Sequence, residues 1–231
     1  DRRRPDGAPF GDMPLTLTAV LAETRIPVGR LASLKPGDIL HVGSISLIDL
    51  PGADNIARFA SAQPGDVLVS VDPNVRPGMI RDVDAWRDRM TRILDRADII
   101  KLSIDDLSFL YPDLAPEAFS ARCLNNGCAL VIVTFGEGGA QLATQSASAR
   151  VPAFPGPVRD TVGAGDTVTG AILSSLTARA IQHARQLQGL TDAVLAEIGQ
   201  RAMAAAWLNC QHSGCQPPKL RDVETACMDG R

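Results

Sequence analysis

Ile99-Ile-Lys-Leu-Ser-Ile-Asp-Asp106 and, further on, Ala129-Leu-Val-Ile-Val-Thr134 frame the segment that decides the fold. Ile99-Ile100 opens a short strand. Ser103-Ile-Asp-Asp106 then has the Ser-x-x-Asp form of a helix start, in which a capping hydroxyl and a carboxylate three residues on satisfy each other's backbone donors. Leu107 and Leu110 supply the apolar side of that helix. Pro116–Asn126 predicts a second helix, and the unbroken apolar run from Ala129 predicts a buried strand ending at Thr134. Strand, helix, strand in this order is a βαβ unit, which places its two strands parallel in one sheet.

The same alternation extends in both directions. Asp38–Val42 is a short β-type run ending at Gly43-Ser44, Asp54–Ala62 predicts a helix, and Val67–Val71 predicts a strand that stops at Asp72-Pro73. Asp84–Ala97 has apolar residues at helical spacing. Gln141–Thr144 and Arg150–Phe154 predict two further strands, and long helices are expected from Gly165 and from about Ala193 to Cys210. The stretch up to Pro36 is rich in turn residues, with Leu15–Ala22 alternating well enough for one strand. The expectation is an α/β fold with a mostly parallel central sheet covered on both faces. Ligands of such sheets sit at the carboxyl ends of the strands.

Composition narrows the function classes. The chain has 231 residues, enough for one sizeable domain at roughly 100–200 residues each. Apolar residues at 45% and charged residues at 21% exclude a disordered or collagen-like chain. With 23 basic against 26 acidic side chains the net charge is −3, so no basic field invites a nucleic acid. The longest apolar run falls far short of the roughly 20 residues that cross a bilayer, so no membrane partner is expected. Asp1-Arg-Arg-Arg-Pro is followed by no apolar stretch, which argues against a signal peptide. Five cysteines without a Cys-x-x-Cys pair suit reduced thiols in a cytoplasmic protein better than zinc or disulfides. Of three lysines, none precedes Ser or Thr, which excludes a P-loop.

The segment richest in chemistry is Asp160-Thr-Val-Gly-Ala-Gly-Asp166-Thr, followed by an apolar helix. Gly163, Ala164 and Gly165 leave backbone N–H groups open to an anion, where the helix dipole adds positive charge. Asp166 sits where an anion would bind. One reading divides the labour: amides hold a developing phosphoryl charge while Asp166 accepts a proton from an attacking hydroxyl. The competing reading is an Asp cap after a glycine turn.

That segment resembles the signature of the ribokinase-like (PfkB) family of sugar kinases, and other segments agree in order and spacing. Val71-Asp-Pro-Asn-Val-Arg76-Pro resembles the family's Asp-Pro-Asn-x-Arg stretch. Asp98-Ile-Ile-Lys-Leu-Ser-Ile-Asp-Asp106-Leu is similar to the stretch carrying its metal-organising acid. Val133-Thr-Phe-Gly-Glu-Gly-Gly139 resembles its phosphate-facing turn, and Asn209 to Pro218 its adenine and monovalent-cation loop. The wording of His41–Leu47 and of Lys101–Leu107 looks most like bacterial fructokinases. The resemblance spans Gly37 to Pro218.

The resemblance implies a three-layer α/β/α sandwich with a small β lid, here partly or wholly missing. Residues 1–36 would be an N-terminal remnant able to hold lid strands, and residues 37–231 the nucleotide- and sugar-binding domain. It implies Asp166 as catalytic base and Gly163, Ala164 and Gly165 as the anion hole. Thr134 and Gly136 would meet ATP phosphates, with Asn209 and Gly214 near the adenine. Asp106 would help to place Mg²⁺ through water, and Asp160 with the Val162 carbonyl would join a potassium-type (K⁺) site. Asn74 and Arg76 would face the sugar, with Ser44 at a neighbouring strand end. Each has a plainer competitor: a turn after Pro73 for Asn74 and Arg76, a strand exit for Thr134 and Gly136, a helix cap for Asp106. His41, His183 and His212 read as structural, and Trp86 and Trp207 as core.

Relatives carry an N-terminal block with an early Asp for the sugar hydroxyls and a Gly-Gly-x-x-x-Asn segment, which is not found here. The expected function is an ATP-dependent phosphotransferase acting on a primary alcohol, fructose to fructose 6-phosphate first. Ribose, 2-keto-3-deoxygluconate or a nucleoside are alternatives, as is a non-catalytic binding remnant. A dinucleotide oxidoreductase would want Gly-x-Gly-x-x-Gly after its first strand, and here Gly163 and Gly165 come late. Lids of this family pair edge to edge, which leaves a homodimer open.

Overall fold

The structure, a computed structural model, describes residues 14–19, 22–27 and 34–229. Two strands, β1 (Pro14–Ala19) and β2 (Ala22–Pro27), pair antiparallel as a sheet of their own, with Ala19 opposite Ala22. The single strand expected over Leu15–Ala22 is therefore two. Its second half was hidden because Ala22-Glu-Thr-Arg-Ile-Pro27 carries charge and ends on proline, both of which depress strand signals.

Among the described residues the main sheet has six strands in the order β3-β4-β5-β6-β7-β8. They are β3 (Ile39–Gly43), β4 (Leu68–Asp72), β5 (Ile99–Ser103), β6 (Leu130–Thr134), β7 (Ala140–Ala143) and β8 (Ser148–Val151). The first four run parallel, and β7 and β8 are added antiparallel. β8 ends at Val151 rather than Phe154, because Pro152 offers no N–H to a ladder.

Strand order and sequence order coincide, and that fixes the layers. Right-handed crossovers between successive neighbours put every connecting helix on one face. Those helices are α1 (Gly52–Ser61), α2 (Val83–Arg96), α3 (Ile104–Leu110) and α4 (Pro116–Asn125). Leu40, Val42, Val69, Val71, Ile100, Leu102, Val131 and Val133 point into that layer, against Trp86, Met90, Ile93 and Phe119. The alternate residues Leu68, Ile99, Leu130, Ile132 and Leu142 face the other way. They are covered by α5 (Ala164–Ala178), α6 (Ala184–Gln188), α7 (Asp192–Cys210) and α8 (Leu220–Asp229), through Val168, Ile172, Leu187, Leu195, Ile198 and Val223. The three-layer α/β/α arrangement is the one expected. The short α6 and the terminal α8 were not anticipated, since each buries a single apolar side chain fully, Leu187 and Val223.

Local chemistry explains the helix ends that matter for the site. Asp82 caps α2 by accepting from Ala85 N. At α3 the expected capping box forms, with Ser103 Oγ accepting from Asp106 N and the Asp106 carboxylate accepting from Ser103 N. Trp86 lies in the core as expected, whereas Trp207 is half-buried and tilted against Phe154 at 4.9 Å between ring centroids. His183 caps α6, and His41 Nδ1 lies 3.0 Å from Ser70 Oγ. No helix among the described residues is long and apolar enough to cross a membrane.

Candidate active site

The carboxyl ends of β3, β4, β5 and β6 share one edge of the sheet, and the start of α5 stands over it. Gly163 caps α5 with φ 78°, a left-handed conformation that a side chain strongly disfavours. Ala164 and Gly165 follow in the first turn with Asp166, whose side chain is exposed. Across from it, Asn74 leaves β4 with φ 39° and donates its amide to Asp166 Oδ1 at 3.4 Å. A residue 92 positions earlier is thus aimed at the carboxylate. The contact is long, as is common before a substrate tightens such a site.

Asp106 holds the exit of β4 in place. Its Oδ1 accepts from Val75 N at 2.7 Å, and its Oδ2 from Ser103 N at 2.9 Å and Ser103 Oγ at 2.7 Å. With only 6% of the residue exposed, the carboxylate clamps the loop that carries Asn74 and Arg76 to the start of α3. Arg76 itself is exposed, and Nη1 reaches only the Val75 carbonyl, at 3.1 Å. Ser44 follows β3 at φ 55°. Thr134 ends β6 opposite Ser103, and its hydroxyl lies 3.4 Å from Leu102 O. Gly136 begins the turn between β6 and β7, where Phe135 N donates to Gly139 O at 2.8 Å. No hydrogen bond joins Ser44, Arg76 or Gly136 to the other expected site residues among the described ones.

A second cluster stitches the C-terminal loop to the glycine turn. Asp160 accepts from Gly214 N at 2.7 Å and from Val162 N at 3.0 Å. These backbone donors, Gly214 foremost, hold its carboxyl below the usual carboxylate range. Asn209, fully buried at the end of α7, donates to Val162 O at 2.8 Å and accepts from Gln216 N at 2.8 Å. Four expected residues, Asp160, Val162, Asn209 and Gly214, are thereby brought together. Cys215 joins them: a Cβ at Gly163 would collide with its Sγ and lie 2.8 Å from its Cβ. Burial, then the negative charge of Asp166, raises the Cys215 thiol above its ordinary range.

Beneath the turn lies a pair that the sequence reading left unused. Lys101 Nζ and Asp72 Oδ2 are 2.8 Å apart, with both side chains almost fully enclosed. Thr169 Oγ1 donates to the same oxygen at 3.2 Å. The available signal was a lysine inside an otherwise apolar strand, beside a neighbouring strand ending in aspartate.

The cluster fits some groups better than others. Among the described residues no three His, Cys, Asp or Glu side chains converge on a metal position. Asp106 has three donors on its two oxygens, so the residues suit a divalent cation carried in on nucleotide phosphates. Asp160 and the Val162 carbonyl each keep lone pairs beyond their single protein donors per oxygen, which suits a weakly held monovalent cation.

Comparison with known proteins bears on the family and the fold. A fructokinase of Rhizobium leguminosarum bv. trifolii is 35% identical over 158 residues, which is 68% of this chain and 48% of the relative. The chain spans about half the length of the curated relatives it matches. A crystal structure of fructokinase from Vibrio cholerae O395, in fructose, ADP and calcium ion bound form, superposes with a TM-score of 0.72. It is 24% identical and covers 89% of this chain and 68% of its own. Aminoimidazole riboside kinase from Salmonella enterica, complexed with aminoimidazole riboside and an ATP analog, gives 0.67 at 26% identity, over 85% and 65%. The family profile described as pfkB family carbohydrate kinase matches residues 18–222. With the glycine turn, its carboxylate and the α/β/α sandwich beneath them, this chain belongs to the pfkB family of carbohydrate kinases.

Proposed function

We propose that the chain is an ATP-dependent kinase of a sugar primary hydroxyl, fructose at O6 first, with residues 37–231 as the nucleotide- and sugar-binding domain. The observation that carries this reading is the exposed Asp166 in the first turn of α5, behind a left-handed glycine and faced by Asn74 at 3.4 Å. Asp166 takes the proton of the attacking hydroxyl as the new oxygen–phosphorus bond forms, and the bond to the γ-phosphorus breaks to release ADP. Backbone N–H groups of Gly163 and Gly165 stabilise the charge on the transferring phosphoryl group, whereas the Ala164 N–H, expected to join them, is already committed to Thr161 O at 3.1 Å. Asn74 orients the Asp166 carboxylate toward the acceptor.

Thr134 and Gly136 receive the nucleotide phosphates and Gly214 borders the adenine, while Asn209, expected beside it, is fully buried and shapes that loop from beneath through Val162 O and Gln216 N. Mg²⁺ bound to those phosphates would offset their charge, with Asp106 acting through water and through the loop it clamps. Asp160 and the Val162 carbonyl would hold K⁺ beside the turn. Ser44 and Arg76 border the acceptor, and β1 with β2 supplies lid strands. The 35% identity to a fructokinase supports fructose. The exposed Arg76 guanidinium favours, as a second reading, an acceptor carrying its own negative charge, such as a sugar acid.

ATP consumption with Mg²⁺, across fructose, ribose and 2-keto-3-deoxygluconate, tests the reading alongside Asp166→Asn. Fructose-dependent turnover that falls by about 10²–10⁴-fold in the variant is expected. No turnover with any sugar, in a chain that still binds ATP, would make it a binding protein instead.

A further inference from the structure

We propose that Lys101, locked to Asp72, is a positioning residue for the phosphoryl-transfer turn, setting the height of α5 and directing positive charge at the underside of Gly163–Gly165. The inference rests on the kinase reading above.

Three observations converge on it. Asp72 ends β4 and Lys101 stands beside it in mid-β5, on the sheet face lined mainly by Leu68, Ile99, Leu130 and Ile132, with Ser70 the other buried polar residue of β4. Replacing a buried ion pair by apolar side chains is often neutral or stabilising, so packing alone gives no reason for charges there. Asp72 Oδ1, moreover, is buried with no hydrogen-bond partner. Packing alone does not account for such an atom.

The second observation is the shape of the helix above. A Cβ at Gly165 would stand 3.0 Å from Lys101 Nζ, tighter than ordinary contact. A side chain at Gly165 would press on the ammonium and push it off its seat on Asp72. One turn further along α5, Thr169 Oγ1 lies 3.2 Å from Asp72 Oδ2 and 3.2 Å from Gly165 O. Residues four apart share one helix face. The ion pair thus meets α5 at two successive turns, leaving room at the first and bonding at the second.

The third is direction. Nζ stands beside Gly165 while the Asp72 carboxylate stands beside Thr169, one turn further along, so the positive end of the pair faces the start of α5. An almost fully enclosed charge beside the turn acts with little screening. Asp72 keeps the ammonium in place and offsets it from behind, leaving a fixed dipole aligned with that of α5.

The test is the double variant Asp72→Leu with Lys101→Met, which removes both charges and strands no buried amide, Thr169 Oγ1 keeping Gly165 O as its acceptor. Its unfolding midpoint and its affinity for ADP stay close to those of the unaltered chain. Its kcat and its affinity for ADP with aluminium fluoride, a mimic of the transferring phosphoryl group, fall by about ten- to a hundredfold. Unchanged kcat together with unchanged aluminium fluoride affinity would overturn the proposal and leave the pair as a plug. Should the double variant fail to fold, Thr169→Val carries the test. A loss in kcat of about two- to fivefold at constant KM is expected of one lost hydrogen bond, and an unchanged kcat overturns the proposal. A chain that binds ADP with aluminium fluoride yet phosphorylates no sugar would sink the kinase reading, while the binding comparison still decides the role of Lys101.

Discussion

Replacing Asp106 by asparagine separates two duties that one carboxylate could perform. The carboxylate accepts three hydrogen bonds, from Val75 N, Ser103 N and Ser103 Oγ. Asparagine offers one acceptor oxygen and one NH₂ group, so one side must set donor against donor. Turning the NH₂ toward Ser103 would forfeit two bonds and the capping box, whereas turning it toward Val75 forfeits one. The second orientation is the cheaper and leaves Val75 N buried without an acceptor. A bond to a charged acceptor contributes about 1.5–3 kcal/mol, and a stranded donor costs a comparable amount. The residue is only 6% exposed, so water does not replace what is lost. A net loss of about 2–4 kcal/mol follows, or roughly 5–15 °C in melting temperature for a domain of this size. Urea unfolding measures the stability, and kcat measured at saturating magnesium reports whether Asn74 still meets Asp166. A variant as stable as the parent, but needing more magnesium for half-maximal rate, would refute the clamp and assign Asp106 to the metal alone.

Other consequences are open to test. Gly163→Ala should cost about 1–2 kcal/mol for its left-handed backbone, plus a further penalty for overlap with Cys215. Pairing it with Cys215→Gly should recover the overlap but not the backbone part, and equal losses in both backgrounds by urea unfolding would contradict the geometry. The lowered pKa of Asp160 makes its contribution complete above the ordinary carboxylate range and lost as pH falls through the folded-state value. The stability difference between the parent and Asp160→Asn should therefore be constant near neutrality and shrink on acidification, as followed by urea titrations at stepped pH.

The parts of the fold that could be read from sequence are those where one residue's neighbours along the chain decide its state. Ala129–Thr134 reads as a strand because nothing in it is polar until its end, and α3 reads from Ser103 and Asp106 because their partners are each other. The glycine turn before Asp166 is legible for the same reason. What escaped depends on distant partners. Asp106 could be placed at a helix start, but not on Val75, 31 positions away. Lys101 stands out in its apolar strand, but nothing local names its partner, and only adjacency in the sheet pairs it with Asp72. β2 escaped differently, because its charged residues and closing proline break the alternation that announces a strand, whereas Leu220, Val223, Ala226 and Cys227 do recur at helical spacing in α8 and were a signal left unread.

The coincidence of strand order with chain order has a consequence for synthesis. A nascent chain grown as far as β8 can cover one face of its sheet with α1 to α4, while Leu68, Ile99, Leu130, Ile132 and Leu142 still face outward. Such a half-roofed intermediate is sticky, and it needs shielding until the remaining helices emerge. The segment that finally shuts that face begins with Gly163 to Asp166. Chemistry and closure therefore arrive in the same stretch of polypeptide, so a chain interrupted before α5 lacks both the means to react and the means to stay dispersed.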